Sequence, residues 1–174
     1  MKAEIWDVLD NDGNFTGKTV TRGQYFLKPG EYHLVVHIWI VSPDGKLLIQ
    51  KRSDNKKLMP GEWAATGGAA VSGESSYNAA RRELFEELGI KSDEKTLKKV
   101  LSLKRRNSLL DVWMIVSDVS VGDLVLQESE VAKAEWVTTD RLLKMVDSGL
   151  FHNYGKDYFK RVLEAIETNK GVTV

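Results

Sequence analysis

Nine consecutive residues, His33-Leu34-Val35-Val36-His37-Ile38-Trp39-Ile40-Val41, constrain this chain more than any other stretch. Their β-branched and aromatic side chains favour a pleated, half- or fully buried strand over a helix, so the run belongs in a sheet interior. Ser42-Pro43-Asp44-Gly45 has the residues of a tight turn, and Lys46 to Lys51 returns as a second strand. Ahead of them, Ile5–Leu9 and Phe15–Val20 flank Asp10-Asn11-Asp12-Gly13-Asn14 and read as a small hairpin with an Asx/Gly turn. Pro29-Gly30 separates that hairpin from the main body of the chain.

Beyond the two strands, Gly61 to Gly68 is short and glycine-rich. A helix is expected from Ser75 to Leu88, capped by Ser75 or Ser76 and stopped by Gly89. Strands are expected near Lys99–Leu103, Asp111–Val116 and Ala134–Val137, and helices near Thr139–Val146 and Lys156–Thr168. Hairpins interleaved with helices give a mixed α/β class rather than a parallel doubly wound sheet. The chain has 174 residues and no long polar linker, which suits one compact unit.

Composition removes several function classes. With 25 basic and 25 acidic side chains the formal net charge is +0, without the basic excess expected of a nucleic-acid-polymer binder. The absence of cysteine rules out disulfides, thiolate zinc sites and cysteine nucleophiles. No window approaches the apolar length of a membrane span. Met1-Lys2-Ala3-Glu4-Ile5-Trp6-Asp7 lacks the apolar stretch of a secretory signal, so a cytoplasmic protein is expected.

The segment Gly67-Gly68-Ala69-Ala70-Val71-Ser72-Gly73-Glu74, continuing to Arg82-Glu83-Leu84-Phe85-Glu86-Glu87-Leu88-Gly89-Ile90, carries the chemistry. At 100° per residue Glu83, Glu86 and Glu87 fall within about a 100° arc of one helix face, while Ala80, Leu84 and Leu88 fall beside them and can pack on a sheet. Clustered carboxylates repel, and burial would drive one to take a proton unless a hard divalent cation sits among them. The alternative is a solvated acidic face, with Arg82 making only a surface pair to Glu86.

The spacing of Gly68, Glu74, Arg82, Glu83, Leu84, Glu86, Glu87, Gly89 and Ile90 resembles the Nudix box at every fixed position. The flanking strand pattern extends the resemblance from Leu34 to Val137. The family implies an α/β/α sandwich around a mixed sheet, here with residues 1–30 as a short N-terminal hairpin extension packed on the core and residues 31–174 as the hydrolase domain. It implies hydrolysis of a phosphoanhydride in a nucleoside diphosphate-linked or related diphosphate, with Mg2+ or Mn2+. Carried over by position, Glu83, Glu86 and Glu87 are metal ligands together with the carbonyl of Gly67, and Arg82 holds a box glutamate in place. Glu74 is a structural or outer acid. The catalytic set implied is Arg82, Glu83, Glu86 and an acid from a later loop. Glu128 and Glu130 both precede the Ala134–Val137 strand; Glu130 is taken as the candidate base, the alternative being a polar loop.

Outside the box, Trp6-Asp7-Val8-Leu9-Asp10, Asn14 to Gly17, His33-Leu34, Lys51-Arg52, Lys56-Lys57 and Pro60-Gly61-Glu62-Trp63 are similar to type I isopentenyl-diphosphate isomerases. That branch uses a cysteine and a histidine whose places here fall at about Gly67 and Ala69, and two later glutamates where only Asp111 stands. Without the thiol an isomerase loses an essential acid/base partner. The expectation is therefore an isomerase-like scaffold with hydrolase chemistry. The positions of Arg52 and Lys56 correspond to diphosphate contacts in that branch, and either residue could grip a substrate phosphate or sit in a solvated loop. His33 and His37, about 13 Å apart along a strand, are too distant to share an ion readily and read as packing or as one ligand contact. His152 has no partner in the sequence, and the five tryptophans read mostly as core.

Three functions remain, in descending order: a metal-dependent phosphoanhydride hydrolase, an isomerase of a five-carbon diphosphate, and a non-catalytic nucleotide-binding module. The expected partner is a small-molecule diphosphate. Substrate choice is expected in loops such as Thr21–Glu31 and Arg105–Asp111. Nudix enzymes often dimerise, and a homodimer stays open.

Overall fold

The computed structural model describes residues 4–170. Residues 1–3, at the start of the expected extension, and 171–174, at the end of the expected hydrolase domain, lie outside the described residues.

In chain order the elements are β1 (Ile5–Leu9), β2 (Phe15–Thr21), β3 (His33–Val41), β4 (Leu47–Arg52), β5 (Trp63–Ala64), β6 (Thr66–Ala69), α1 (Ser76–Leu88), β7 (Lys98–Lys104), β8 (Ser108–Val116), β9 (Val131–Val137), α2 (Thr139–Asp147) and α3 (Lys156–Lys170). β3 is the hub of the main sheet. It runs parallel to β8 over its full length, from His33↔Ser108 to Val41↔Val116, and antiparallel to β4 and β6. β7 extends β8 at one edge, while β5 and β9 pair with β4 at the other. One parallel pair among antiparallel ones makes the sheet mixed, as expected.

Burial on both faces explains why β3 shows no clean polar–apolar alternation. Val36, Ile38 and Ile40 point to α1, where Ala79, Ala80, Leu84 and Leu88 close one core layer. Trp39 and Val41 point the other way, onto Leu142 and Met145 of α2 and Tyr158, Val162 and Ile166 of α3. The result is the α/β/α sandwich. Among the described residues no helix is long and apolar enough to cross a membrane.

β1 and β2 form their own two-stranded sheet. Their turn is the Asx type expected, with Asp10 Oδ1 accepting the N–H groups of Asp12 (2.9 Å) and Asn14 (2.9 Å). Several contacts tie the hairpin to the body. Leu9 and Tyr32 exchange backbone hydrogen bonds (2.8 and 2.9 Å), Trp6 stacks on His33 with ring centroids 4.2 Å apart, and the carbonyl of Ile5 accepts the Ser72 N–H (2.8 Å).

Two short strands, β5 and β6, lie inside the glycine-rich segment where none was expected. β6 pairs with β3 through Gly67 opposite His37 and Gly68 opposite Val36. Gly67 has φ 149, and a Cβ there would collide with the carbonyl oxygen of Val36. The glycines that weaken strand propensity are what let this strand lie so close to its neighbour.

Candidate active site

The loop after β6 leads into α1. Ser75 caps the helix by accepting the Asn78 N–H (3.2 Å), and Gly89 ends it at φ 72, donating its N–H to the Phe85 carbonyl (2.8 Å). With Ala80, Leu84 and Leu88 seated on the sheet, the glutamate stripe of the helix lies against the β6 backbone and lines a cavity of about 790 Å3. Gly67, Glu83, Glu86, Glu87, Arg82 and Glu130 all line it. So do Arg52 and Lys56.

Arg82 organises the acidic side. Its Nε and Nη2 take Glu74 in a two-point grip (2.9 and 2.9 Å), and its Nη1 reaches Glu83 (2.9 Å) and Glu86 (3.1 Å). Nη2 also donates to the Ala69 carbonyl (3.2 Å), and Glu74 in turn accepts the Val71 N–H (3.1 Å). Arg82 thus ties the loop to the helix and holds two glutamates at once, far more than the surface pair to Glu86 that its spacing allows. Gly68 leaves room for this arrangement, since a Cβ there would collide with the Glu83 carboxylate.

Glu87 is held differently. It is only 3% exposed, and one oxygen accepts from Gln50 Nε2 (2.9 Å) and from the Gly67 N–H (3.1 Å). Gln50 is itself fixed by the Thr66 hydroxyl, which donates to its Oε1 (3.1 Å). Burial pushes the Glu87 carboxyl well above the usual carboxylate range, and the charge of Glu83 pushes it further. Glu83 is also raised, chiefly by burial, with Arg82 opposing and Glu86 adding to the shift. Two neighbouring acids are thus kept from water, and among the described residues Glu87 has no counter-charge in ion-pair contact. Nor are three histidine, cysteine or carboxylate side chains already arranged to hold a metal ion among the described residues. The reason is visible in the bonds above: Arg82 draws Glu83 and Glu86 one way, while Gln50 and Gly67 hold Glu87 another.

The later-loop acids separate. Glu130 lines the cavity and pairs with Lys56 (2.5 Å), whereas Glu128 is exposed and does not line it. Arg52 lines the cavity with its Nε donating to the Leu58 carbonyl (3.2 Å). Asp111 is engaged elsewhere, accepting from Ser102 Oγ (2.5 Å) and Lys99 Nζ (3.3 Å) across the β7–β8 pair. His33 is in the stack with Trp6. His37 is buried with its Nδ1 2.7 Å from the Tyr158 hydroxyl, which also receives the Trp39 indole N–H (3.0 Å). The indole can only donate, so Tyr158 accepts from Trp39 and shares its second hydrogen bond with His37 Nδ1. Of the five tryptophans, Trp39 and Trp113 are buried; Trp6, Trp63 and Trp136 are half-buried.

Four residues at or behind the cavity were given no individual role by the sequence, although Arg105 opens a loop expected to bear on substrate choice. His152 is held by Glu62 (Nδ1 to Oε2, 2.8 Å), a partner 90 positions away. Tyr154 receives the Ala65 N–H on its hydroxyl (3.3 Å). Arg105 sits in a Lys104-Arg105-Arg106 run that reads as solvated charge, and Gln50 was hidden inside a strand.

Known proteins bear on this geometry. The NUDIX domain family model matches residues 31–154. An uncharacterised Nudix hydrolase of Listeria monocytogenes is 43% identical over 152 residues, covering 87% of this chain and 89% of that protein. A crystal structure from Deinococcus radiodurans superposes with a TM-score of 0.79 at 24% identity, covering 91% of this chain and 98% of that one, which establishes likeness of fold. The NUDIX domain of Shewanella oneidensis NrtR, solved in complex with ADP ribose, superposes with a TM-score of 0.59 at 15% identity, covering 79% and 88%. The family model takes in the whole segment from Gly67 to Ile90 and the greater part of the chain, so this protein belongs to the Nudix hydrolases.

Proposed function

We propose that this chain hydrolyses a phosphoanhydride bond in a nucleoside diphosphate-linked or related small diphosphate, using Mg2+ or Mn2+ held by Glu83, Glu86, Glu87 and the Gly67 carbonyl. The observation that carries this reading is the placing of a buried Glu87 beside a largely buried Glu83 in the cavity wall. Their oxygens and a backbone carbonyl are hard donors of the kind magnesium takes. The closeness of Gly68 to Glu83 leaves that carboxylate free of a competing side chain. A bound cation would neutralise phosphate oxygens and stabilise the leaving phosphate.

The chain's own groups do the rest. Arg82 positions Glu83 and Glu86 and anchors them to Glu74. Glu86, the most exposed of the box acids, and Glu130 in the same cavity are the groups we assign to accept the proton of the attacking water. Lys56, released from Glu130, and Arg52 grip substrate phosphate. A cytoplasmic setting, with small diphosphates as partners, fits this chemistry, and residues 1–30 act as an extension bracing the box loop. Isomerase chemistry is disfavoured because the position of the missing thiol, Gly67, has no space for any side chain.

The test is a panel of diphosphates with Mg2+ and mass-spectrometric identification of products. Release of a mononucleotide or phosphate is expected and should fall away in Glu86→Gln. Equal turnover in that variant rejects the assignment.

A further inference from the structure

The cations of the cavity wall are not alike. Arg82 is taken up by three glutamates, Lys56 by Glu130, and Arg22 by Glu4 (2.6 Å). Arg52 and Arg105 also line the cavity, and among the described residues neither has a carboxylate in ion-pair contact. Arg105 is the more unusual. Its guanidinium carbon lies 5.6 Å from the ring centroids of both Tyr154 and Tyr158, and its Nη2 is buried with no hydrogen-bond acceptor. A guanidinium stays charged at any physiological pH, so a donor kept from both water and protein acceptors awaits an anionic acceptor from elsewhere.

Arg52 lines the same cavity, and so does Tyr154, the ring on which Arg105 packs; burial pushes the Tyr154 hydroxyl up to about 12. That hydroxyl is bonded to the Ala65 N–H, while Glu87 is bonded to the Gly67 N–H. Two residues of extended chain separate those anchors, roughly 7 Å. The cavity therefore carries two guanidiniums without a carboxylate partner, and Arg105 packs on a tyrosine whose hydroxyl lies about a phosphate chain's reach from Glu87.

We propose that Arg105 and Arg52 grip a free terminal phosphate of the substrate, so that the preferred substrates are nucleoside di- or triphosphates ending in an uncapped phosphate rather than nucleoside diphosphate sugars. Two planar forks suit a doubly charged terminal phosphate and leave a singly charged, esterified one under-bound. The inference rests on the hydrolase reading for its chemistry, but the anion site is separable from it.

The test uses the full chain with Mg2+ and compares kcat/KM for a nucleoside diphosphate and triphosphate with that for a nucleoside diphosphate sugar. Arg105→Ala is expected to lose roughly 10- to 100-fold on the uncapped substrates, mostly through KM, and less than about threefold on the sugar-capped one. Arg105→Lys should recover part of the loss, and the exposed neighbour variant Arg106→Ala should match wild type. Equal losses on capped and uncapped substrates, or no loss on either, overturn the proposal; equal loss would mark Arg105 as a packing residue for Tyr154 and Tyr158. If wild type turns over none of the panel, the hydrolase reading fails, and the anion site is judged by equilibrium binding of α,β-methylene-ADP. Weakening of about tenfold or more in Arg105→Ala then upholds the site, and an unchanged Kd overturns it.

Discussion

The two faces of the central sheet bury polar groups in opposite ways. On the α3 face, Trp39 donates to Tyr158, and Tyr158 and His37 share a hydrogen bond, so these three buried groups are partnered with one another. On the α1 face, Glu83 and Glu87 are buried beside each other, and Arg82 answers only the first. A satisfied buried network holds a fold in one arrangement, whereas two neighbouring acids kept from water oppose it, since folding forces them toward the protonated form. Stability is built on one side of β3; on the other, the proposed cation would offset the cost of the neighbouring acids.

Neutralising Glu87 breaks this contrast most sharply. Glu87→Gln keeps an acceptor for Gln50 and Gly67 but removes the acid that burial forces toward its protonated form. Turnover with Mg2+ is expected to fall roughly 10^3-fold, a loss of several kcal/mol of transition-state stabilisation. The metal-free variant should nonetheless melt higher than wild type by scanning calorimetry. A variant with a lower melting temperature would place Glu87 with the stabilising groups instead.

Tyr158→Phe attacks the other face. It strands the Trp39 N–H and His37 Nδ1 in the core, with an expected cost of about 3 kcal/mol, or roughly 6–12 °C in Tm for a chain of this size. A change of less than a degree would contradict the satisfied-network account.

His37 supplies a pH test of the same face. Burial, with the charges of Arg105 and His152 added, holds its pKa down to about 3 against 6.5 in the unfolded chain. The unfolded state therefore takes up a proton first as the pH falls, and stability is lost from about pH 6.5 downward. Between pH 7 and pH 5 this amounts to about 2 kcal/mol. Urea unfolding at the two pH values should show that component in wild type and not in His37→Gln; identical pH slopes would contradict it. The smallest effect expected is at the brace between hairpin and box loop. Asp7 accepts from the Ser72 hydroxyl (2.6 Å) and the Gly73 N–H (2.9 Å), and Asp7→Ala should cost about 1 kcal/mol in the same unfolding assay.

Much of this was legible in the residues because local chemistry and spacing agreed. β3, the Asx-turn hairpin and α1 with its Ser75 and Gly89 ends appear where propensity and caps put them. β8 begins at Ser108 rather than Asp111, because its pairing with β3 draws in residues whose own preferences are weak. β5 and β6 were hidden by the glycines that make their close pairing feasible. At the site, spacing alone brought Glu83, Glu86 and Glu87 to one helix face and left open whether Arg82 was a surface partner or a brace. Contacts between distant segments could not be read that way. Glu62 with His152, Gln50 with Glu87, and Arg105 with Tyr154 and Tyr158 join elements that only the folded sheet brings together.

The central claim is that the buried acids of α1 exist to hold a divalent cation. Calorimetric titration of Mn2+ into the metal-free protein, with α,β-methylene-ADP present, tests it most directly. Saturable binding that disappears in Glu87→Gln is the expected result. Absence of saturable uptake in wild type, or the same uptake in Glu87→Gln, would contradict the account.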